Sequence, residues 1–309
     1  MPHITAVGEV MVSLQAPAGF DLASTNTLDV RIAGAEANFA AAFIRAGGTA
    51  GLLSAVGDDL LGEQVLRRLV GLGIDVDAVH RDPSRPTGLM LNQRDANRRR
   101  VFYYRGGSAA SALTVEQVLA GARGSVVISG VTFAVAADLR TRIEDLLEGL
   151  DERAVNIILD VNLRPTLGHV DGVVAALRLA AERAGTIFVG LDEAEPIFGL
   201  AEPSELARLI GARGADVVIT DGAASSWVHG QHIPAYPTSV VDPVGAGDAF
   251  AGTYTGLRSL GETPAVAAHV AARAAAQVVA TAGDVDGLPA AGLIQEWTEL
   301  LRADNSSAR

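Results

Sequence analysis

The sequence predicts an α/β fold with a central, mostly parallel β-sheet between two layers of helices. From residue 114 onward, short β-branched runs alternate with longer segments of helical period. Strands separated by helices usually pair in parallel, and helices then cover both faces of the sheet. The 309 residues are 49% hydrophobic, which is enough for one large core. We therefore expect one α/β domain spanning residues 1–309.

The expected elements follow in chain order. Strands are predicted at 4–7, 52–56, 87–92, 99–105, 125–131, 156–162, 186–190, 216–220, 227–229 and 233–236. Helices are predicted at 34–46, 63–72, 136–150, 171–184, 202–212, 249–260, 264–281 and 291–303. Two stretches interrupt this rhythm: 11–32 has no helical period, and 87–105 has the alternation of a hairpin. We expect both to be insertions outside the main sheet.

Composition excludes several classes of protein. The chain has no cysteine, which rules out a disulfide framework or a thiolate zinc site. No apolar run resembles a signal peptide or a membrane helix, so we expect a cytoplasmic protein without a membrane partner. The net charge of -12 argues against nonspecific binding to nucleic acid.

The basic residues are all arginine, 24 in number. Without lysine the chain has neither a Walker A phosphate loop nor a Schiff-base nucleophile. An anion must therefore be bound by backbone amides or by arginine, whose planar fork suits a carboxylate.

The stretch 241–250 is a loop that leads into a helix of small and apolar residues. Gly245 and Gly247 allow a ligand to approach the backbone closely, and the amides of a helix N-terminus favour an anion. Asp248 would repel that anion, unless its carboxylate removes a proton from the hydroxyl that attacks it. The alternative is that Asp248 caps the helix.

Residues 241–250 resemble the signature of the ribokinase-like (PfkB) family of ATP-dependent sugar kinases. The resemblance implies a three-layer α/β/α ribokinase-like fold, with a small β-sheet lid formed by the insertions near 11–32 and 87–105. It implies that Asp248 is the catalytic base, and that Gly245, Ala246 and Gly247 form the anion hole. ATP and Mg²⁺ are the implied cofactors, and a homo-oligomer through the lid is the implied assembly.

On the sugar side, the family's Gly-Gly-x-x-x-Asn pattern matches Gly34 and Asn38, with Ala33 in place of the first glycine. The resemblance implies that Gly34 and Asn38 contact the sugar. The alternative for Asn38 is an ordinary surface position on a helix.

The stretch 100–111 resembles the 2-keto-3-deoxygluconate kinase branch of the family. In that branch Tyr103 and Arg105 would face the sugar acid, Arg164 would lie near its carboxylate, and Asp284 would lie close to the substrate. The alternatives are an aromatic cross-strand pair for Tyr103, a local ion pair of Arg164 with Asp160, and a simple turn residue for Asp284.

On the nucleotide side, the resemblance implies cofactor contacts by Asn162, Thr220, Gly222, Gly245 and Gly247. Glu193 matches a family glutamate that supports magnesium indirectly, through water. Gly190 stands where the family usually has asparagine.

The expected function is ATP-dependent phosphorylation of 2-keto-3-deoxygluconate at its terminal hydroxyl, with Arg105 and Arg164 binding the acid group. The alternative within the family is a kinase for fructose, ribose or a nucleoside. A sugar-sensing protein without catalysis would not need the intact Gly-Ala-Gly-Asp at 245–248. A dinucleotide-dependent oxidoreductase would need a third glycine where Phe250 stands.

Overall fold

The computed structural model of the chain describes residues 1–17, 19–95 and 98–307, with the side chains at 94–95, 98–99 and 304–307 left aside. The strands are β1 His3–Val7, β2 Met11–Gln15, β3 Asp29–Ala33, β4 Thr49–Gly57, β5 Val79–Asp82, β6 Leu89–Asp95, β7 Arg98–Tyr104, β8 Ser125–Ser129, β9 Ile157–Asp160, β10 Thr186–Gly190, β11 Asp216–Asp221, β12 Ser225–Val228 and β13 Gln231–Pro234. The helices are α1 Ala35–Arg45, α2 Leu60–Gly71, α3 Val115–Gly121, α4 Gly130–Val135, α5 Ala137–Thr141, α6 Ile143–Asp151, α7 Val170–Ala181, α8 Leu191–Phe198, α9 Pro203–Gly211, α10 Ala246–Ser259, α11 Pro264–Val279 and α12 Ala291–Ser307.

The large sheet has nine strands in the order β13-β12-β11-β10-β9-β8-β1-β4-β5. From β11 to β5 all neighbours are parallel, and β12 and β13 extend the sheet with antiparallel pairs. Its strands are buried on both faces: in β8, Val126 and Ile128 pack into one apolar layer, and Val127 packs into the other. This confirms the predicted three-layer α/β/α fold with a mostly parallel sheet.

Several predicted boundaries were wrong. The expected strand 125–131 ends at Ser129, because the Ser129 hydroxyl accepts hydrogen bonds from the amides of Val131 and Thr132 and begins α4. The expected helix 136–150 is divided into α5 and α6 at Arg142, whose backbone leaves the helical region. Helix α10 begins at Ala246, three residues before the expected start at 249.

A second, four-stranded sheet has the order β3-β2-β6-β7. Strands β2 and β3 come from the first predicted insertion, and β6 and β7 come from the second. The predicted small sheet is therefore confirmed. One of its faces carries Met11, Ala33, Met90 and Val101, which form a small apolar cluster.

Among the described helices, none is both long enough and apolar enough to cross a lipid bilayer.

Candidate active site

A cavity of about 590 Å³ lies between the small sheet, the carboxyl ends of β9, β10 and β11, and the start of α10. This is where ligands bind in open α/β sheets. The structure brings together nearly all the predicted site residues on its wall: Gly34, Asn38, Tyr103, Arg105, Asn162, Arg164, Glu193, Thr220, Gly222, Gly245, Gly247, Asp248 and Asp284. Ala246 is not among the wall residues, and its amide lies 3.4 Å from the carbonyl oxygen of Pro243.

The start of α10 is shaped by Gly245. Its φ of 78° is in the left-handed region, and a Cβ there would lie 2.4 Å from the carbonyl oxygen of Asp284. The first intrahelical hydrogen bond joins the amide of Ala249 to the carbonyl of Gly245 at 2.8 Å. The amides of Gly247 and Asp248 precede that bond and have no intrahelical acceptor. Together with the helix dipole, they favour an anion above the helix end.

Asp248 is buried and does not cap the helix, because Gly245 occupies the capping position. Its Oδ2 instead accepts a hydrogen bond from Nδ2 of Asn38 at 2.8 Å. Helices α1 and α10 can approach this closely because a Cβ on Gly252 would lie 2.3 Å from the carbonyl oxygen of Phe39. The interpretation of Asn38 as a surface residue was therefore wrong.

Burial raises the pKa of Asp248 to about 7. The hydrogen bond from Asn38 opposes this rise, the charges of Asp284 and Glu36 add to it, and the charge of Arg164 opposes it. A carboxylate with a pKa near neutrality is suited to act as a general base.

Asp160 lies beside Asp248 at the end of β9. Burial raises its pKa well above the ordinary value, and repulsion from Asp248 and Glu193 adds to the rise. Asp160 accepts a hydrogen bond from Nδ2 of Asn162 at 3.1 Å. Arg164 is exposed and forms no salt bridge with Asp160, so the predicted local ion pair was wrong for the part of the chain that is described.

Asn162 has a φ of 35°, and its buried Oδ1 has no hydrogen-bond partner among the described residues. Strained backbone and unsatisfied buried polar atoms concentrate at ligand sites. Asn162 therefore has the properties expected of a ligand contact.

Glu193 is held by the backbone. Its Oε1 accepts from the amide of Leu163 at 2.9 Å, and its Oε2 accepts from the amide of Gly190 at 3.0 Å. A Cβ at Gly190 would lie 2.6 Å from Oδ1 of Asp192, so the observed side chains leave little room for the family asparagine.

Among the described side chains, no group of three His, Cys, Asp or Glu residues could hold a metal ion alone. Mg²⁺ usually keeps several waters and binds one or two carboxylates together with substrate phosphates. Burial raises the pKa values of Asp160 and Glu193; the charge of Glu193 adds to the rise at Asp160, and the charge of Asp192 adds to the rise at Glu193. The acidic wall that these two carboxyls form fits an ion of that kind.

Sequence reasoning missed two buried glutamates. Glu9 follows β1 and forms an ion pair with Arg105, so the charge of Arg105 is already balanced. Glu36 accepts hydrogen bonds from the hydroxyls of Ser129 and Thr132. The available signal was an acid close to a glycine: Glu9 follows Gly8 after β1, and Glu36 lies two residues after Gly34 in the first turn of α1. That signal does not reveal the distant partner.

Tyr103 and Arg105 leave β7 on the pocket side. The Arg105 guanidinium lies 5.3 Å from the centroid of the Tyr103 ring. Tyr103 pairs across the sheet with Met90, so the predicted aromatic cross-strand pair does not form there. Asp284 is half-buried, and its charge raises the pKa of Asp248.

The fold and the pocket together define a small-molecule kinase of the ribokinase-like class. Residues 1–291 match the family described as pfkB family carbohydrate kinase, and the chain belongs to that family.

Named relatives cover almost all of the chain. It is 31% identical over 318 residues to the 2-dehydro-3-deoxygluconokinase of Thermoproteus tenax, with 98% of this chain and 95% of that protein covered. It is 32% identical over 300 residues to the 2-dehydro-3-deoxygluconokinase of Bacillus subtilis (strain 168), with 91% of each covered. A solved structure, a putative Ribokinase II from E. coli in complex with ATP and Mg²⁺, has the same fold, with a TM-score of 0.85 at 21% identity over 97% of this chain and 99% of that one.

Proposed function

We propose that this carbohydrate kinase transfers the γ-phosphoryl group of ATP to the terminal hydroxyl of 2-keto-3-deoxygluconate, also called 2-dehydro-3-deoxygluconate. The observation that carries the proposal is a buried carboxylate, Asp248, beside the unbonded amides of a helix N-terminus, with the cationic Arg164 on the same wall. The names of two relatives that match the chain over 91% or more of its length support the sugar acid.

In the proposed reaction, Asp248 removes the proton of the sugar hydroxyl while the hydroxyl oxygen forms a bond to the γ-phosphorus of ATP. The bond between that phosphorus and the bridging oxygen of the leaving nucleoside diphosphate breaks. The amides of Gly245, Gly247 and Asp248, which lie on the pocket wall, stabilise the negative charge on the transferred group. The amide of Ala246, predicted to share this role, lies at the carbonyl oxygen of Pro243 instead. Asn38 orients Asp248 through its hydrogen bond.

The nucleotide would lie along the wall that carries Asn162, Thr220 and Gly222. When bound, Mg²⁺ would balance the charge of the phosphates. Glu193 would face it through water, because both of its oxygens already accept backbone hydrogen bonds. The small sheet would act as a lid that excludes water from the transfer.

We also propose that the chain forms a homo-oligomer through the outer face of the small sheet. Phe102 and Tyr104 are 46% and 61% exposed there, and their cross-strand neighbours are Leu91 and Leu89. Apolar surface of this kind is typical of protein interfaces.

The test is a coupled assay of ADP release with a panel of substrates. The panel contains 2-keto-3-deoxygluconate, its galactonate epimer, gluconate, fructose, ribose and a nucleoside. We expect the highest kcat/KM with 2-keto-3-deoxygluconate or its epimer. A higher kcat/KM with fructose, ribose or the nucleoside would reject 2-keto-3-deoxygluconate as the substrate, but the chain would still be a sugar kinase.

A further inference from the structure

Arg105 reaches the pocket already paired with an acid. Its Nη2 forms an ion pair with Glu9, and the two side chains are only 11% and 1% exposed. The Nε–H of Arg105 is buried and has no acceptor within the described ranges. A buried donor without an acceptor is costly and uncommon in folded proteins. Because Arg105 forms part of the pocket wall, a bound ligand can supply the missing acceptor.

Glu9 is fixed in place from several sides. Its Oε1 accepts a hydrogen bond from the hydroxyl of Ser108 at 2.6 Å. The same carboxylate lies against Gly88, where a Cβ would be 2.4 Å from Oε1. The backbone of Glu9 lies against Gly34, where a Cβ would be 2.6 Å from the Glu9 carbonyl oxygen. Glu9 therefore has little room to turn away from Arg105 when a ligand enters.

Arg164 differs from Arg105 in each of these respects. It is exposed, it lines the same cavity, and it has no acid within salt-bridge distance in the part of the chain that is described. The pKa values of Asp248 and Glu193 are raised by burial, and the charge of Arg164 opposes the rise at both, in keeping with its place on the pocket wall. Arg164 is thus available as a partner for an incoming carboxylate.

We infer that Glu9 is a positioning residue for the substrate: it holds Arg105 and balances its charge, so that Arg105 donates its Nε–H to an uncharged keto or hydroxyl oxygen of the sugar acid. The carboxylate is then left to Arg164, where the family resemblance also puts it. A ligand carboxylate at Arg105 would lie close to the fixed carboxylate of Glu9, and repulsion between like charges disfavours that arrangement. The inference rests on the proposed function, and it says which part of the proposed substrate each arginine binds.

The test compares two substrates that differ only at carbon 1. One is 2-keto-3-deoxygluconate, and the other is 3-deoxyfructose, in which a CH₂OH group replaces the carboxylate. The measured quantity is the acid preference, the ratio of the two kcat/KM values. We expect Arg164→Gln to reduce the acid preference at least about tenfold, because a charge-assisted hydrogen bond is lost. The double variant Glu9→Gln/Arg105→Gln removes both charges of the buried pair. It should lower both kcat/KM values by a similar factor and leave the preference within about threefold of wild type.

The variant Glu9→Gln tests the positioning role. Glutamine keeps the size of the side chain and an acceptor for Ser108, but it leaves the charge of Arg105 unbalanced. The acid preference should therefore rise, whereas a purely structural role of Glu9 would lower both kcat/KM values and leave the preference unchanged. Arg105→Gln alone leaves the charge of Glu9 unbalanced and should lower the acid preference. The double variant Glu9→Gln/Arg105→Gln should bring the preference back to the wild-type value.

The outcomes separate this inference from the proposed function. A wild-type preference near one rejects the sugar acid as substrate and the inference with it. A high wild-type preference that collapses in the double variant Glu9→Gln/Arg105→Gln as it does in Arg164→Gln overturns the inference alone. The same holds if Glu9→Gln leaves the preference unchanged.

Discussion

At the scale of single residues, the environment of Asp248 predicts how activity depends on pH. A general base works in its ionised form, so kcat/KM should rise with pH through about 7, the pKa to which burial raises this carboxyl. The charge of Asp284 contributes to that rise in pKa. We therefore expect Asp284→Asn to move the acidic limb of the profile to lower pH, whatever it does to the maximal rate.

The measurement is the profile of kcat/KM between pH 5 and pH 9. The matched control is Asp286→Asn, which removes an exposed acid of the same turn whose charge is already paired with Arg31. The control variant should not shift the acidic side of the pH profile. Because Asp160 and Asp248 interact, the midpoint belongs to the pair of carboxyls. A flat profile, or a limb that moves to higher pH in Asp284→Asn, would contradict the assignment.

Asp248→Asn should separate activity from stability. We expect a loss of at least about a hundredfold in kcat, because the base is gone. The same change should stabilise the fold at alkaline pH. A carboxyl whose pKa is raised on folding destabilises the native state as pH rises between the unfolded and folded pKa values. For Asp248 these are 3.8 and about 7, and the cost reaches at most about 4 kcal/mol above pH 7.

Urea unfolding of wild type and Asp248→Asn at pH 5 and pH 8 measures this effect. The stability advantage of the variant should be larger at pH 8. If the variant differs from wild type by the same free energy of unfolding at both pH values, the pKa of Asp248 is not raised by folding. Near-normal turnover by the folded variant would reject Asp248 as the base.

How much of the site is predictable from sequence depends on how local each contact is. The stretch from Gly245 to Asp248 places its groups within one turn of one helix, so spacing alone indicates an anion site with a base. The pairing of Glu9 with Arg105 joins residues far apart in the chain, and no local pattern marks it. The expectation that both arginines hold the acid group overlooked that pairing.

At the scale of secondary-structure elements, two arginines connect β3, an edge strand of the small sheet, to α2 and to the turn that follows α11. Nη1 of Arg31 donates to the carbonyl of Ala282 at 2.8 Å and to Oδ2 of Asp286 at 2.5 Å. Nη2 of Arg68, on α2, donates to the carbonyl of Val30 at 2.9 Å. Of these two arginines, only Arg31 contacts the turn that carries Asp284. Arg31 therefore links the small sheet to the pocket.

We expect Arg31→Gln to speed hydrogen exchange in both β3 and residues 282–286. Arg68→Gln, the matched control, should speed exchange in β3 alone. Global stability should change by less than about 1 kcal/mol in either variant, because both side chains of the Arg31–Asp286 pair are partly exposed. Unchanged exchange in 282–286 of Arg31→Gln would contradict the link.

Addition of 2-keto-3-deoxygluconate should slow exchange in β2, β3, β6 and β7 if these strands form a lid over the pocket. The comparison is made at saturating ligand, with gluconate as the control compound. Equal protection with and without the sugar acid would reject the lid.

Element boundaries show a limit of periodicity. The apolar run around β8 continues past Ser129, so its pattern alone favours a longer strand. The strand ends there because one hydroxyl accepts two amide hydrogen bonds, an event that hydrophobic spacing does not record. The order of strands and helices was predictable, since each element buries a continuous apolar set.

At the scale of the whole molecule, the proposed oligomer depends on the outer face of the small sheet. We expect Tyr104→Glu to convert it to a monomer, because a charge would be buried without a partner at the interface. The control is Leu209→Glu, which changes an exposed leucine of similar accessibility on α9. Light scattering coupled to size-exclusion chromatography gives the mass of each variant. A wild type that is monomeric at all concentrations, or a Tyr104→Glu that keeps the wild-type mass, would reject this interface.

The chain passes between its two sheets four times, and every passage contains a glycine: Gly8, Gly34, Gly88 and Gly107. At the first three, an added methyl group would lie 2.3, 2.6 and 2.4 Å from atoms of a buried glutamate, so these passages are tightly wedged. Gly107 has open space around it and a φ of 75°. The fourth passage is held by its flanking side chains instead, because Arg105 and Ser108 lie on either side of Gly107 and both contact the buried carboxylate of Glu9. All four passages therefore meet at two buried glutamates, Glu9 and Glu36, which set where the small sheet lies relative to the large one.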